Sequence, residues 1–246
     1  MRILQVRLEA AKATGAALQH FYGDQLGFPV FANRGRHVFD TGGTLVEFSA
    51  TSRQEPFYHF ALRVPRNRFV DAREWLARHA ELLSEPGSNE TTFEFTNWNA
   101  DACYAHDPGG NIVELIAHHG LLDEGPDSGP FDATELLGVC EVGLVGPDTL
   151  AMARALEPLG IQLWDGTLDA PGRLAFMGPP DGTLILAPSR RGWMPTGREA
   201  EAWTVEVDVA GIRDAQVTLP GTPHRVRCRR TLTSPVTPST ETFPGA

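Results

Sequence analysis

The chain has 246 residues, 41% of them hydrophobic and 21% charged, which allows a sizeable buried core and two domains. Its 31 acidic against 21 basic residues give a net charge of −10, which argues against nucleic acid and anionic membrane as partners, because both need a basic surface. No stretch reaches the roughly 20 apolar residues of a membrane span, the N-terminus lacks a signal-peptide core, and Cys103, Cys140 and Cys228 lie far apart without CxxC spacing, so a reducing, cytoplasmic setting without cysteine-bound zinc is expected.

Leu4, Val6 and Leu8 alternate with Gln5, Arg7 and Glu9, which predicts a half-buried strand over residues 3–9. Ala17, Leu18, Phe21, Tyr22 and Leu26 recur at helical spacing from about Thr14, and Gly27 is a natural stop. Short strands follow at 28–31, 36–40 and 44–49. The same order of strand, helix and three strands then returns. Its second copy has a strand over 57–64, a helix from Phe69 to about Ala80, and strands at 92–95, 102–105 and 111–117. The turn His106–Gly110 joins the last two, with Pro108 and two glycines supplying the turn geometry. The linker 51–56 is short, so the two copies are expected to pair with each other.

Residues 121–135 form an acidic, Gly/Pro-rich linker. A third copy opens with LLGVCEVGLVG, continues with a helix over 149–159, and has strands at 161–164, 173–177 and 183–187. A fourth starts at Ala202 and does not complete. The basic run HRVRCRR and the Thr/Ser/Pro-rich end place 221–246 in an expected disordered tail. The fold class is therefore α+β: tandem βαβββ modules, paired to form a cupped mixed sheet around a cleft. A paired unit is expected at 1–120 and a degenerate one at 136–220. Either the truncated fourth module or a homodimer contact could complete the third module's open sheet.

Two residues recur at matching places in the first two copies. Gln5 and Glu47 stand 42 residues apart in the first, and His59 and Glu114 stand 55 apart in the second. Strand parity sets all four opposite a strongly apolar face. If the copies pair, they meet in one cleft as a metal site. One imidazole, one amide oxygen and two carboxylates suit one divalent ion (Zn, Ni, Mn, Fe, Co or Mg). Four protein ligands on an octahedral ion leave two neighbouring positions for a bidentate small-molecule substrate.

The phrases LQHFYGDQLGFPV and WNADACYAHDPGGNIVELIAH resemble the vicinal oxygen chelate superfamily, which includes glyoxalase I, extradiol dioxygenases and the bleomycin resistance proteins. The resemblance implies paired βαβββ modules around a divalent metal held by Gln5, Glu47, His59 and Glu114. That pattern is seen in some glyoxalase I enzymes, whereas extradiol dioxygenases use two His and one Glu. Glu9 stands where glutathione-dependent glyoxalase I has a basic residue, which speaks against a glutathione substrate. Glu141, Leu186 and Thr204 align with Gln5, Glu47 and His59, so a second metal site is not expected.

The function implied is a metal-dependent lyase or isomerase that acts on a small oxygenated metabolite through an enediolate-type intermediate. Glu114 is its general base, with Glu47 as second candidate. The alternatives are a non-catalytic binding protein that sequesters a drug or metabolite, and an extradiol ring-cleaving dioxygenase. Among other residues, His37 reads as a surface strand residue, His106 as a turn cap and His118 as a solvated strand end. Trp98 and Asn99 are expected to border the substrate, and Phe95 and Tyr104 to lie in the core.

Overall fold

The computed structural model describes residues 1–33, 35–52, 55–168 and 172–231. In the first module, strand β1 (Ile3–Ala11) leads into helix α1 (Gly15–Gln19), which runs on as a π-helical turn (His20–Gln25). Strands β2 (Val30–Asn33), β3 (Arg36–Asp40) and β4 (Leu45–Thr51) complete it. The second module is β5 (His59–Arg63), α2 (Phe69–Ala77), β6 (Phe93–Phe95), β7 (Ala100–His106) and β8 (Ile112–His118). The third is β9 (Val139–Gly146), α3 (Thr149–Leu156), β10 (Leu163–Gly166), β11 (Ala175–Met177) and β12 (Thr183–Pro188). The Asp148 carboxylate accepts from the Ala151 amide and starts α3 where the sequence turns from strand to helix.

A small hairpin, β13 (Gly192–Trp193) and β14 (Arg198–Glu199), separates this from the fourth module. That module consists of β15 (Glu206–Gly211), β16 (Ala215–Thr218) and β17 (Arg225–Arg230). In every module the first and last strands pair in parallel: β1 with β4, β5 with β8, β9 with β12 and β15 with β17. The fourth lacks the helix and one strand. The expected tail is thus partly wrong, since the basic run forms β17; residues 232–246 lie outside the described residues. Val226 and Cys228 turn inward there, while Arg225 and Arg227 meet Glu206 and Asp208, so alternation explains the basic run.

The modules assemble into two curled mixed sheets, an α+β half-barrel architecture as expected. One sheet has the order β16-β17-β15-β1-β4-β3-β2 and the other β10-β11-β12-β9-β5-β8-β7-β6. The first module therefore pairs with the fourth, through antiparallel β1 and β15, and the second with the third, through antiparallel β5 and β9. This corrects the expected pairing of first with second, and with it a separable unit at 1–120. The second module also closes the third module's open edge.

Burial explains the choice. Every residue of β8 and β9 is buried, and β5 and β12 are buried except at their last residue, so these strands need cover on both faces. By contrast, β1 alternates buried and half-exposed positions, and its wetter face carries charge. Strands of like character have joined.

The apolar faces of both sheets share one core with the helices. Tyr22 packs on Phe39, with ring centres 5.0 Å apart, and its hydroxyl donates to Asp107 Oδ2 at 2.8 Å, tying the first module's helix to the second module's turn. Asp107 also accepts from the amides of Gly109 and Asn111, so it rather than His106 organises that turn. Gly42 needs to be glycine: its φ is +87°, and a Cβ there would meet the Leu136 carbonyl oxygen at 1.9 Å. Among the described residues no helix is long and apolar enough to cross a membrane.

His224, between β16 and β17, is buried and donates from Nε2 to the Val145 carbonyl at 2.8 Å. Burial pushes its imidazole down to about 4, from an ordinary 6.5. Between about pH 6.5 and about pH 4 the unfolded chain binds a proton here that the native chain does not, so stability falls as pH falls through that window. Urea unfolding should show the native sequence losing about 3 kcal/mol more than His224→Gln across it. Equal acid sensitivity of the two proteins would contradict this.

Candidate metal centre

Ala61 lies between two glutamates. In the eight-stranded sheet it is registered with Glu114 of β8 on one side and Glu141 of β9 on the other. His59, two residues earlier on β5, shares the same face. One donor atom from each of His59, Glu114 and Glu141 falls within 4.8 Å of the others, and all three side chains are buried.

His59 Nδ1 is 3.2 Å from the Ile112 carbonyl oxygen, which accepts its hydrogen. That tautomer leaves a lone pair on Nε2, 3.3 Å from Glu114 Oε2. Two lone pairs so close call for a proton or a cation between them. Glu141 Oε1 is buried with no hydrogen-bond partner. Burial, then the charge of Glu114, raises the Glu141 carboxyl well above the ordinary carboxylate range. Tyr104 is registered opposite Glu114 and hydrogen-bonds to it. Burial, then Glu114 and Glu141, raises its phenol well above its usual value, so it stays a donor. An imidazole and two carboxylates buried together, with an orphaned oxygen and no Lys or Arg ion-paired to them among the described residues, fit a hard or borderline divalent cation.

The cluster floors a cavity of about 70 Å³ walled by Phe95, Trp98, Ile185 and Trp193. Trp193 lies over His59, with ring centres 5.0 Å apart, and Gly143 makes room for it: a Cβ there would meet the indole at 2.8 Å. The β13–β14 hairpin that carries Trp193 is anchored by Arg198, which stacks 3.4 Å from the Phe57 ring centre and donates to the Gly110 carbonyl. Beside this cavity lies a cleft of about 790 Å³, and the two share Phe95, Trp98, Leu174, Phe176 and Arg191. Trp98 borders it as expected, whereas Phe95 and Tyr104 wall the cavity as well as filling space. His118 is no solvated strand end. It is buried, with Nε2 unpartnered and 3.9 Å from Glu141 Oε1. Burial, then the charges of Arg63 and His119, pushes it down to about 4.

No family model matches the chain, and no curated protein sequence is significantly similar to it. Solved structures do resemble it. A "putative dioxygenase" from Bacillus subtilis subsp. subtilis str. 168 superposes with a TM-score of 0.56 at 12% identity, covering 93% of this chain and 85% of that one. Glyoxalase I from Zea mays superposes with a TM-score of 0.51 at 15% identity, covering 92% of each chain. At these identities the likeness is one of fold. The chain has the fold of the vicinal oxygen chelate superfamily.

Within that fold each pair of modules offers equivalent register positions. In the pair that holds the cluster, Gly143 faces Ile185 as Ala61 faces Glu114, so Ile185, not Leu186, occupies the third module's late position. An apolar side chain there leaves three polar candidates instead of four. In the other pair, Gln5 and Glu47 lie on the seven-stranded sheet, apart from His59 and Glu114. Expected ligands from two halves of one cleft are thus divided between two, because the modules pair differently. Gln5 Nε2 donates to Glu47 Oε2 at 3.1 Å, and Glu47 Oε1 pairs with Arg36 at 2.9 Å.

By register, Glu206 there corresponds to Glu141, Glu47 to Glu114 and Arg227 to Ile185. Arg227 pairs with Asp208 and Glu206, each at 2.6 Å, and Arg7 with Asp208 at 3.2 Å. Guanidinium groups supply the positive charge in this second cleft. Burial acts to raise the Asp208 carboxyl, but the hydrogen bonds and charges of Arg7 and Arg227 outweigh it and hold it below its ordinary value. The remaining histidines find local partners: His37 Nδ1 lies 3.0 Å from Gln19 Oε1, and His119 Nε2 lies 2.8 Å from Asp101.

Glu141 aligns with Gln5 in the sequence but is set aside there, because Leu186 and Thr204 complete no second site around it. Its signal was present: a lone carboxylate in the otherwise apolar strand VCEVGLVG, where an unpaired charge is costly. In the arginine-filled cleft, Asp208→Asn should lower stability by about 2 kcal/mol, because Arg7 and Arg227 both lose the charge of a buried carboxylate partner. Urea unfolding measures this, and an unchanged midpoint would show the network to be idle.

Proposed function

We propose that the chain is a metal-dependent enzyme of the glyoxalase/dioxygenase type, a lyase or isomerase acting on a small oxygenated metabolite. The observation that carries this reading is the buried His59/Glu114/Glu141 cluster beside a substrate-sized cleft. His59 Nε2, Glu114 and Glu141 would hold one divalent ion, and Zn, Ni, Mn, Fe, Co and Mg all suit the donors. The ion would supply Lewis-acid stabilisation of negative charge on a substrate oxygen.

The chain's own groups would do the rest. Glu114 is steadied by Tyr104 and lies beside His59. Glu141 Oε1 has no hydrogen-bond partner and Glu141 lines the cavity, so the base role first expected of Glu114, removal of a proton α to a carbonyl, falls better to Glu141. Ile185, Phe176 and Trp193 keep bulk water from the proton in transit. Glu47 has no part in this, being on the other sheet.

A second reading, ring cleavage of a catechol with O₂, is favoured by Ile185 in the fourth register position and by the aromatic walls. Oxygen uptake on adding catechol to the iron-loaded protein would select it.

Elemental analysis of protein purified without chelators, then reconstituted, should give about one divalent ion per chain, the number of clusters of this kind found among the described residues. His59→Ala and Glu141→Ala should each lose most of it, while Gln5→Ala and Glu47→Gln keep it. Retention by the first two variants, or loss in the last two, would overturn the assignment. Glu141→Gln should then stop turnover at a level of bound metal that still supports activity in Glu47→Gln.

A further inference from the structure

The larger cleft has a chemistry of its own. Trp98 forms its floor with Phe95, Trp164 and Phe176 around it, at ring-centre distances of 5.2, 5.1 and 4.7 Å. The indole is fixed in place because Nε1 donates to Asp165 Oδ2 at 2.7 Å. Such a preset aromatic wall favours a flat ring, and it runs without a break into the cavity over His59.

The same cleft holds two guanidiniums. Arg173 has no ion pair among the described residues, and Arg191 is half-buried, with Nη1 donating to the Gly192 carbonyl. They are close enough that, after burial itself, the charge of Arg173 makes the cationic form of Arg191 harder to keep. Of the two carboxylates in the cleft, Asp165 is taken up by Trp98, and Glu94 stands on the exposed face of β6. Neither Asp165 nor Glu94 is ion-paired to either arginine. Two like charges facing one space are relieved by an anion bound between them. Arg191 borders both the cleft and the inner cavity, so an anion held there lies where the two spaces meet.

We propose that this cleft binds a planar aromatic carboxylate, its ring against Trp98, Phe95 and Phe176 and its carboxylate on Arg173 and Arg191. The proposal names the substrate class of the centre proposed above, and what is done to the ligand rests on that reading; the binding does not. Binding can therefore be tested without metal.

The probes are 2-naphthoate and its neutral analogue 2-naphthamide, titrated by calorimetry into the full chain before and after chelator treatment. Naphthoate should bind in both states and at least about tenfold more tightly than naphthamide. The Arg173→Gln/Arg191→Gln double variant should lose that discrimination, and Trp98→Leu should weaken both probes by about tenfold. Arg173 is exposed and Arg191 half-buried, and circular dichroism of the double variant confirms that it is folded. Equal affinity for the two probes, discrimination that survives in the folded double variant, or no binding of naphthoate at millimolar concentration would overturn the proposal. Naphthoate binding by a chain that takes up no metal would support it while overturning the metal-centre reading.

Discussion

The antiparallel joining of β5 to β9 is the constraint on which the site depends. It places Glu141 across from Ala61, while the parallel pairing of β5 with β8 places Glu114 on the opposite flank. A slip of one residue in either register would turn one carboxylate to the other face of the sheet and disperse the cluster. Ala61 matters for the same reason. It is fully buried, and its small side chain leaves the space between the glutamates open. Nothing in the loops could compensate, because the three side chains are set by backbone hydrogen bonds.

The same joining determines what the two clefts are. Each pair of modules brings early and late strand positions together, and the physics at those positions is similar: carboxylates crowded in a space of low polarity. Taking a charge out of water costs several kcal/mol unless a partner is close. The seven-stranded sheet meets that cost from within, with Arg7, Arg36 and Arg227 on Glu47, Glu206 and Asp208. Among the described residues, the two glutamates of the eight-stranded sheet pair with histidines alone, beside the Tyr104 hydroxyl. One cleft is electrostatically closed by the chain, while the glutamates of the other have no Lys or Arg ion-paired to them among the described residues. The repeat thus made two equivalent positions and the sequence filled them with opposite solutions.

Most of the fold could be read from residues. The period-two runs, the helix from Gly15, and the order of elements in three modules lie close to the expected places. Two of the cluster's three residues could be read too, since His59 and Glu114 follow from matching positions in the second module. What failed was the choice of partners, which was argued from the short linker at 51–56. Linker length constrains neighbours weakly. Strand character constrains them strongly, and it was visible: FALRV, VCEVGLVG and TLILA are apolar on both faces, while LQVRLEA and VEVDV carry charge on one. Sorting strands by that character would have joined second to third and first to fourth. Glu141 would then have appeared as the third donor, and Gln5 as the mate of Glu47 alone. Within β17, reading HRVRCRR by its charge hid an alternation that buries Val226 and Cys228.

The repeat and the segments outside it supply different things. Strands fix His59, Glu114 and Glu141 and would do so whatever the surroundings. The walls come from elsewhere: the turn around Trp98 that follows β6, the approach to β11 at Leu174, and the hairpin with Trp193 after the last strand of the third module. None of these has a counterpart in the first module, whose cleft lacks an aromatic wall. The hairpin is also held independently of the sheet, by Arg198 on Phe57 and Gly110. Chemistry that needs a fixed donor set is therefore built on hydrogen-bonded strands, where register cannot drift. The walls of the cavity are built on segments whose sequence can change without disturbing that register. Arg191, which lines both cavity and cleft, sets a guanidinium where the two meet.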